Sequence, residues 1–97
     1  MTAKEQAAEA LADDWLRLMG ATTWEDAAKA IRRRDPFPAG ETTSIEEGGA
    51  LFDVSDSWRW QDSPDGDILL SIEVFECGSD ELLAMRTAII RRMTTKG

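Results

Sequence analysis

Apolar residues recur at helical spacing through the first third of the chain and at a spacing of two beyond it, and this change of period sets the expected architecture. Thr2 and Glu5 have the spacing of a capping box, in which hydroxyl and carboxylate satisfy amides that a helix start leaves unpaired. At 100° per residue, Ala7, Ala8, Leu11, Ala12, Trp15, Leu18 and Met19 gather on one arc, with Glu5, Glu9 and Asp13 outside it. Gly20 is expected to end this helix. Thr22 and Glu25 repeat the capping spacing, and Trp24, Ala27, Ala28 and Ile31 define a second amphipathic helix. Arg32, Arg33 and Arg34 suit its negative end, and Asp35-Pro36-Phe37-Pro38 forbids continuation.

From Glu41 onward the period is two: Phe52 and Val54, then Trp58 and Trp60, then Ile68, Leu70, Ile72 and Val74. Gly48-Gly49 marks one turn. Ser63-Pro64-Asp65-Gly66 marks a hairpin, with Pro at the first turn position and Gly to accept a positive φ. Ser79, Asp80 and Glu81 suit the start of a last helix with a stripe of Leu82, Met85, Ile89 and Met93, and Arg91, Arg92 and Lys96 suit its end. The expectation is one globular α+β domain spanning 1–97, ordered α-α-β-β-β-α, with a three-stranded antiparallel meander and helices packed on one face.

Length and charge narrow the function classes. A compact fold of 97 residues buries about 60 to 65% of its unfolded surface, enough for one small core. The apolar fraction of 42% argues against disorder. A net charge of −8 removes the usual driving force for direct binding to nucleic acid or an anionic membrane and favours a basic protein surface as partner. No run of about 18 apolar residues occurs, so no transmembrane helix is expected. Met1 to Gly20 lacks the apolar core of a signal peptide, and Cys77 is the single cysteine. A cytoplasmic location is the expectation.

The charge is uneven. Residues 1–34 hold six acids and six bases, residues 35–85 hold 13 acids and only Arg59, and residues 86–97 hold four bases. The bases lie mostly at expected helix ends, where local electrostatics explain them, whereas the central acids lack such a reason. One reading is a solvated surface that maintains solubility; the other is a docking face of Asp53, Asp56, Asp62, Asp65, Asp67 and Glu73. If Ile68, Leu70, Ile72 and Val74 point inward, Leu69 and Phe75 point outward, either as apolar contact beside that acidic rim or buried by the 36–49 segment or an extra layer. Trp58-Arg59-Trp60 invites base stacking, but core packing fits the local charge better. Arg86 falls within an apolar arc and requires a partner, with Glu73 or Glu76 the expected one and a symmetric homodimer contact the alternative.

Catalysis finds little support. Without His there is no Ser-His-Asp or Cys-His arrangement, and one Cys with no His cannot build a tetrahedral zinc site. Asp80 and Glu81 oppose thiolate formation at Cys77. Asp62 to Asp67 with Glu73 superficially resembles a calcium loop, yet Pro64 occupies the third position and Gly66 the fifth, so the register fails. No enzyme activity, metal or cofactor is expected. In size and charge the chain resembles small phage or mobile-element inhibitors of the anti-CRISPR and antirestriction kind, many of them acidic occupants of nucleic-acid channels. That resemblance implies a non-enzymatic inhibitor or decoy whose acidic surface docks on a basic nucleic-acid-binding site. An immunity protein neutralising a basic nuclease toxin and a self-associating assembly subunit are the alternatives, the chain itself being a monomer or weak homodimer.

Overall fold

The computed structural model describes residues 2–35 and 39–92. Helices α1 (Ala3–Gly20) and α2 (Trp24–Arg34) precede strands β1 (Ala39–Glu47), β2 (Ala50–Trp60), β3 (Ile68–Glu76) and β4 (Leu82–Ile90). The strands form one antiparallel sheet in the order β1-β2-β3-β4, so the class is α+β.

Both helices begin with a cap. Thr2 and Glu5 form the expected capping box, whereas α2 is capped one residue later than expected: the Thr23 hydroxyl accepts from the Asp26 amide at 3.2 Å. Ala8, Leu11 and Ala12 of α1 and Ala27, Ala28 and Ile31 of α2 are buried, and their small side chains let both helices approach the same sheet face closely. Leu18 departs from its expected role. It is 60% exposed, and Leu16 packs against the core instead.

The three-stranded meander and the closing helix are corrected. Phe52, Val54, Trp58 and Trp60 belong to one continuous strand, β2, and β1 is an additional strand ahead of it. Leu82 to Ile90 is also a strand. Leu82, Met85 and Ile89 do stand at helical spacing, but Thr87, Ile89 and Ile90 are β-branched, and β3 would otherwise keep an unpaired edge. Pairing from Val74↔Ala84 to Ile68↔Ile90 satisfies that edge. Ser79 accordingly caps no helix; its hydroxyl accepts from the Glu81 amide at 3.1 Å in the β3–β4 connection. Met93 and Lys96, read as parts of that helix, and Pro36-Phe37-Pro38, read as the stop after α2, lie outside the described residues.

Phe52 and Val54 of β2 and Ile68, Leu70, Ile72 and Val74 of β3 are fully buried under the helices. Around this core, ion pairs close the seam between helices and sheet: Lys4 with Glu76, Arg32 with Asp65, and Arg86 with Glu9 and Asp13 of α1. Glu73 and Glu76 are therefore not the partners of Arg86. Arg86 lies opposite Ile72 on the helix side, where α1 passes over it, while Glu73 projects from the other face.

The turns obey backbone chemistry. Gly48 and Gly49, with φ of 59° and 81°, form the two-residue loop between Glu47 and Ala50, where both central positions require positive φ. In the β2–β3 hairpin the Gly66 amide donates to Ser63 O at 3.1 Å, and Asp65, not Gly66, takes the positive φ of 67°. Asp tolerates this conformation better than most residues, and the loop is fastened besides by Trp24 Nε1 donating to Gly66 O at 2.8 Å.

Candidate functional site

Because side chains alternate across a strand, burial of one sheet face defines the residues on the other. Among the described residues, α1 and α2 pack on the face of Phe52, Val54, Leu70 and Ile72, and no element covers the opposite one. The cross-strand register arranges that open face in rows. At one end stand Arg59, Leu69 and Ile89. A row of small residues follows, Gly40, Ser57, Ser71 and Thr87. Next come Thr42, Ser55, Glu73 and Met85, and then Ser44, Asp53, Phe75 and Leu82. Glu46 and Leu51 continue it toward the Gly48-Gly49 turn.

The face therefore has two apolar patches separated by hydroxyls and two carboxylates. Ser44 Oγ donates to Asp53 at 2.8 Å, and the Thr42 and Ser55 hydroxyls lie 2.7 Å apart, which orders the polar middle. Leu51, Leu82 and Met85 are among the most exposed large apolar side chains, at 47%, 45% and 50%. The open face thus combines exposed apolar side chains with interspersed carboxylates.

Of the residues singled out from sequence, the structure brings Asp53, Leu69, Glu73 and Phe75 together on this face. Asp56, Asp62, Asp65 and Asp67 lie elsewhere. Asp56 points to the helix side and accepts from Trp58 Nε1 at 2.9 Å. Asp62 is exposed in the hairpin loop. Asp65 pairs with Arg32, and Asp67 accepts from the Arg92 amide at 2.9 Å with Arg91 Nη1 at 3.6 Å. These two carboxylates fasten the hairpin to α2 and to the segment after β4. The same corner stacks aromatic rings: Trp24 and Trp60 have centroids 6.1 Å apart, with the Arg32 guanidinium 5.7 and 5.8 Å from them and that of Arg92 5.0 Å from Trp24.

Sequence reasoning missed Leu51, Leu82, Met85 and Ile89 as members of the open face. Leu82, Met85 and Ile89 stand at the spacing of a helical core stripe, and only β-branching at Thr87, Ile89 and Ile90 signals a strand.

Elsewhere, Trp15, Met19, Arg33, Arg34, Asp56 and Trp58 border a cleft of about 370 Å³ between the helices and β1. Trp15 Nε1 is buried there without a hydrogen-bond partner among the described residues. The groups with displaced proton affinity are explained by structural bonds on or against α1. The hydrogen bond to Glu76 raises the affinity of Lys4, that to Glu9 raises Arg86, and the Thr2 amide lowers Glu5. Among the described residues no group of three or more acidic, Cys or His side chains is arranged to hold a metal ion, and no helix is long and apolar enough to cross a membrane.

No protein-family model matches the chain, and neither a curated protein nor a solved structure does.

Proposed function

We propose that this protein is a non-enzymatic binding protein, an inhibitor or decoy that presses the open face of its sheet against a basic, nucleic-acid-binding surface of another protein. The observation that carries this reading is the juxtaposition of Asp53 and Glu73 with Leu69, Phe75 and Met85 on a face that the molecule's own helices leave uncovered. Apolar contact supplies affinity, while the carboxylates select a cationic partner and speed encounter. Glu46 of β1 adds a further carboxylate to this face, and the rest of the molecule supports the same sign, since β1 also carries Glu41 and Glu47 and the whole chain carries −8.

Asp65 and Asp67 are not part of the proposed contact, because arginines of the same chain already hold them. The docking surface is thus smaller than the whole acidic region.

The test is a binding titration against purified nucleic-acid-handling proteins with basic channels, with duplex DNA as competitor. The expected result is capture that weakens steeply with salt and is displaced by DNA, and that Asp53→Lys with Glu73→Lys abolishes while Asp65→Asn leaves it intact. Capture unchanged by the double reversal overturns the assignment of the face. Selective inhibition of one toxin nuclease would place the protein among immunity proteins, acting through the same surface.

A further inference from the structure

Where the helices meet the sheet, acids and bases pair: Lys4 with Glu76, Arg32 with Asp65, and Arg86 with Glu9 and Asp13. The cleft of about 370 Å³ between the helices and β1 departs from that pattern. Glu41 and Asp56 stand directly opposite each other in the β1–β2 register, and both border the cleft from the helix side of the sheet. Like charges so placed repel. Arg33 and Arg34, in the last turn of α2, border the same cleft. Among the described residues none of these four is in an ion pair, so two carboxylates and two guanidiniums share one cavity without neutralising one another.

The remaining walls are apolar. Trp15 and Met19 of α1 and Trp58 of β2 line the cleft, whose size falls within the range of roughly 300 to 1,000 Å³ common to small-ligand sites. The bond from Trp58 Nε1 to Asp56 Oδ2, at 2.9 Å, holds that ring and that carboxylate in place and leaves the other Asp56 oxygen for a ligand. Trp15 Nε1 is too tightly enclosed to reach one, so Trp15 contributes its ring as a wall.

We propose that this cleft binds a free α-amino acid with an apolar side chain. A simple anion is drawn to Arg33 and Arg34 but repelled by Glu41 and Asp56, and a simple cation meets the converse. A zwitterion answers both. Its ammonium donates to Glu41 and Asp56 and relieves their repulsion, its carboxylate accepts from the two arginines, and its side chain packs against Trp15, Met19 and Trp58. A bare divalent ion would leave the arginines opposed and the aromatic walls unused. The site is independent of the docking role proposed for the open face, because Glu41 and Asp56 project to the helix side and Asp53 and Glu73 to the other.

Calorimetry and tryptophan fluorescence of the full chain, titrated separately with L-phenylalanine, L-leucine and L-methionine up to about 10 mM, test the site. The expected result is saturable binding of at least one of the three, with half-saturation below roughly 1 mM. The matching acid without the ammonium and the matching amine without the carboxylate, 3-phenylpropionate and 2-phenylethylamine in the case of phenylalanine, should each bind at least about tenfold more weakly. Glu41→Gln should weaken the amino acid by about tenfold without weakening the acid analogue. Arg33→Gln with Arg34→Gln should weaken it as much without weakening the amine analogue. All three positions are exposed, so far-UV spectra should stay unchanged. No saturable binding of any of the three amino acids, an analogue lacking one charge that binds as tightly as its parent, or undiminished affinity in either variant overturns the proposal. Asp53→Lys with Glu73→Lys leaves this binding intact, so failure here and failure of the docking face are separate results.

Discussion

Replacing Gly40 by alanine should be among the most damaging single-methyl changes in this protein. Gly40 has φ of +146°, and a Cβ built there would lie 2.0 Å from Asp56 O and 3.0 Å from Asp56 C and Ser57 Cα, all backbone atoms of β2. Opening the first contact even to 3.0 Å moves β1 away from β2 by a full ångström, against the register that places Ala39 beside Trp58. Overpacking of a rigid site costs about 1 to 3 kcal/mol, and the disfavoured backbone conformation adds roughly 1 to 2 kcal/mol. A loss of about 3 kcal/mol lowers the midpoint of a domain this size by some 12 to 24 °C. Two other glycines separate the contributions. Gly49, at φ +81° with nothing within 4 Å, should lose only about 1 kcal/mol on change to alanine. Gly20, ending α1 with open space around it, should be neutral or gain up to about 1 kcal/mol. Urea titrations followed by far-UV circular dichroism and tryptophan fluorescence measure all three. Should Gly40→Ala prove no less stable than Gly49→Ala, the close approach of β1 to β2 would be refuted.

Three more outcomes follow from individual contacts. Trp58→Phe should cost more than Trp15→Phe, because the first breaks the bond to Asp56 while the second removes a buried donor that finds no acceptor among the described residues; chemical denaturation should separate them by about 1 to 3 kcal/mol. Asp65→Ala should cost more than Asp65→Asn, since both lose the Arg32 pair but Asn still tolerates the positive φ; the Asn variant should lose less than about 1 kcal/mol, and raised salt should erase that loss. Glu5 binds its proton less readily when folded, owing first to the Thr2 amide, so its contribution is present above the unfolded pKa of 4.5 and disappears as pH falls through the lower folded value. The stability difference between wild type and Glu5→Gln should therefore be visible near neutrality and shrink as pH falls from 4.5 through the lower folded value, with thermal melts across pH as the measurement.

The helices were legible in the sequence because each requirement was local. Thr2 and Glu5 meet within one turn, and Ala27, Ala28 and Ile31 share a face whatever lies beyond it. The strands of the core were legible for the same reason, since alternation of Ile68, Leu70, Ile72 and Val74 is an internal property of that segment. β1 and β4 were not. Ala39 to Glu47 buries little and carries three glutamates, so its pattern is faint until β2 supplies hydrogen bonds. Leu82 to Ile90 is apolar on both faces, which erases the period that distinguishes helix from strand.

The candidate site divides along the same line. That Leu69, Glu73 and Phe75 face away from the core was contained in the alternation of β3, and composition alone established the negative charge. Tertiary structure decided which carboxylates are held by the chain's own arginines and which stand on the open face. Asp53 and Asp65 are indistinguishable as letters, yet one joins the open face, while the other meets an arginine 33 positions earlier in the chain. Such pairings depend on how α2 lies against the hairpin, and that placement arises only when the apolar faces of both elements are buried together, a condition no single segment encodes.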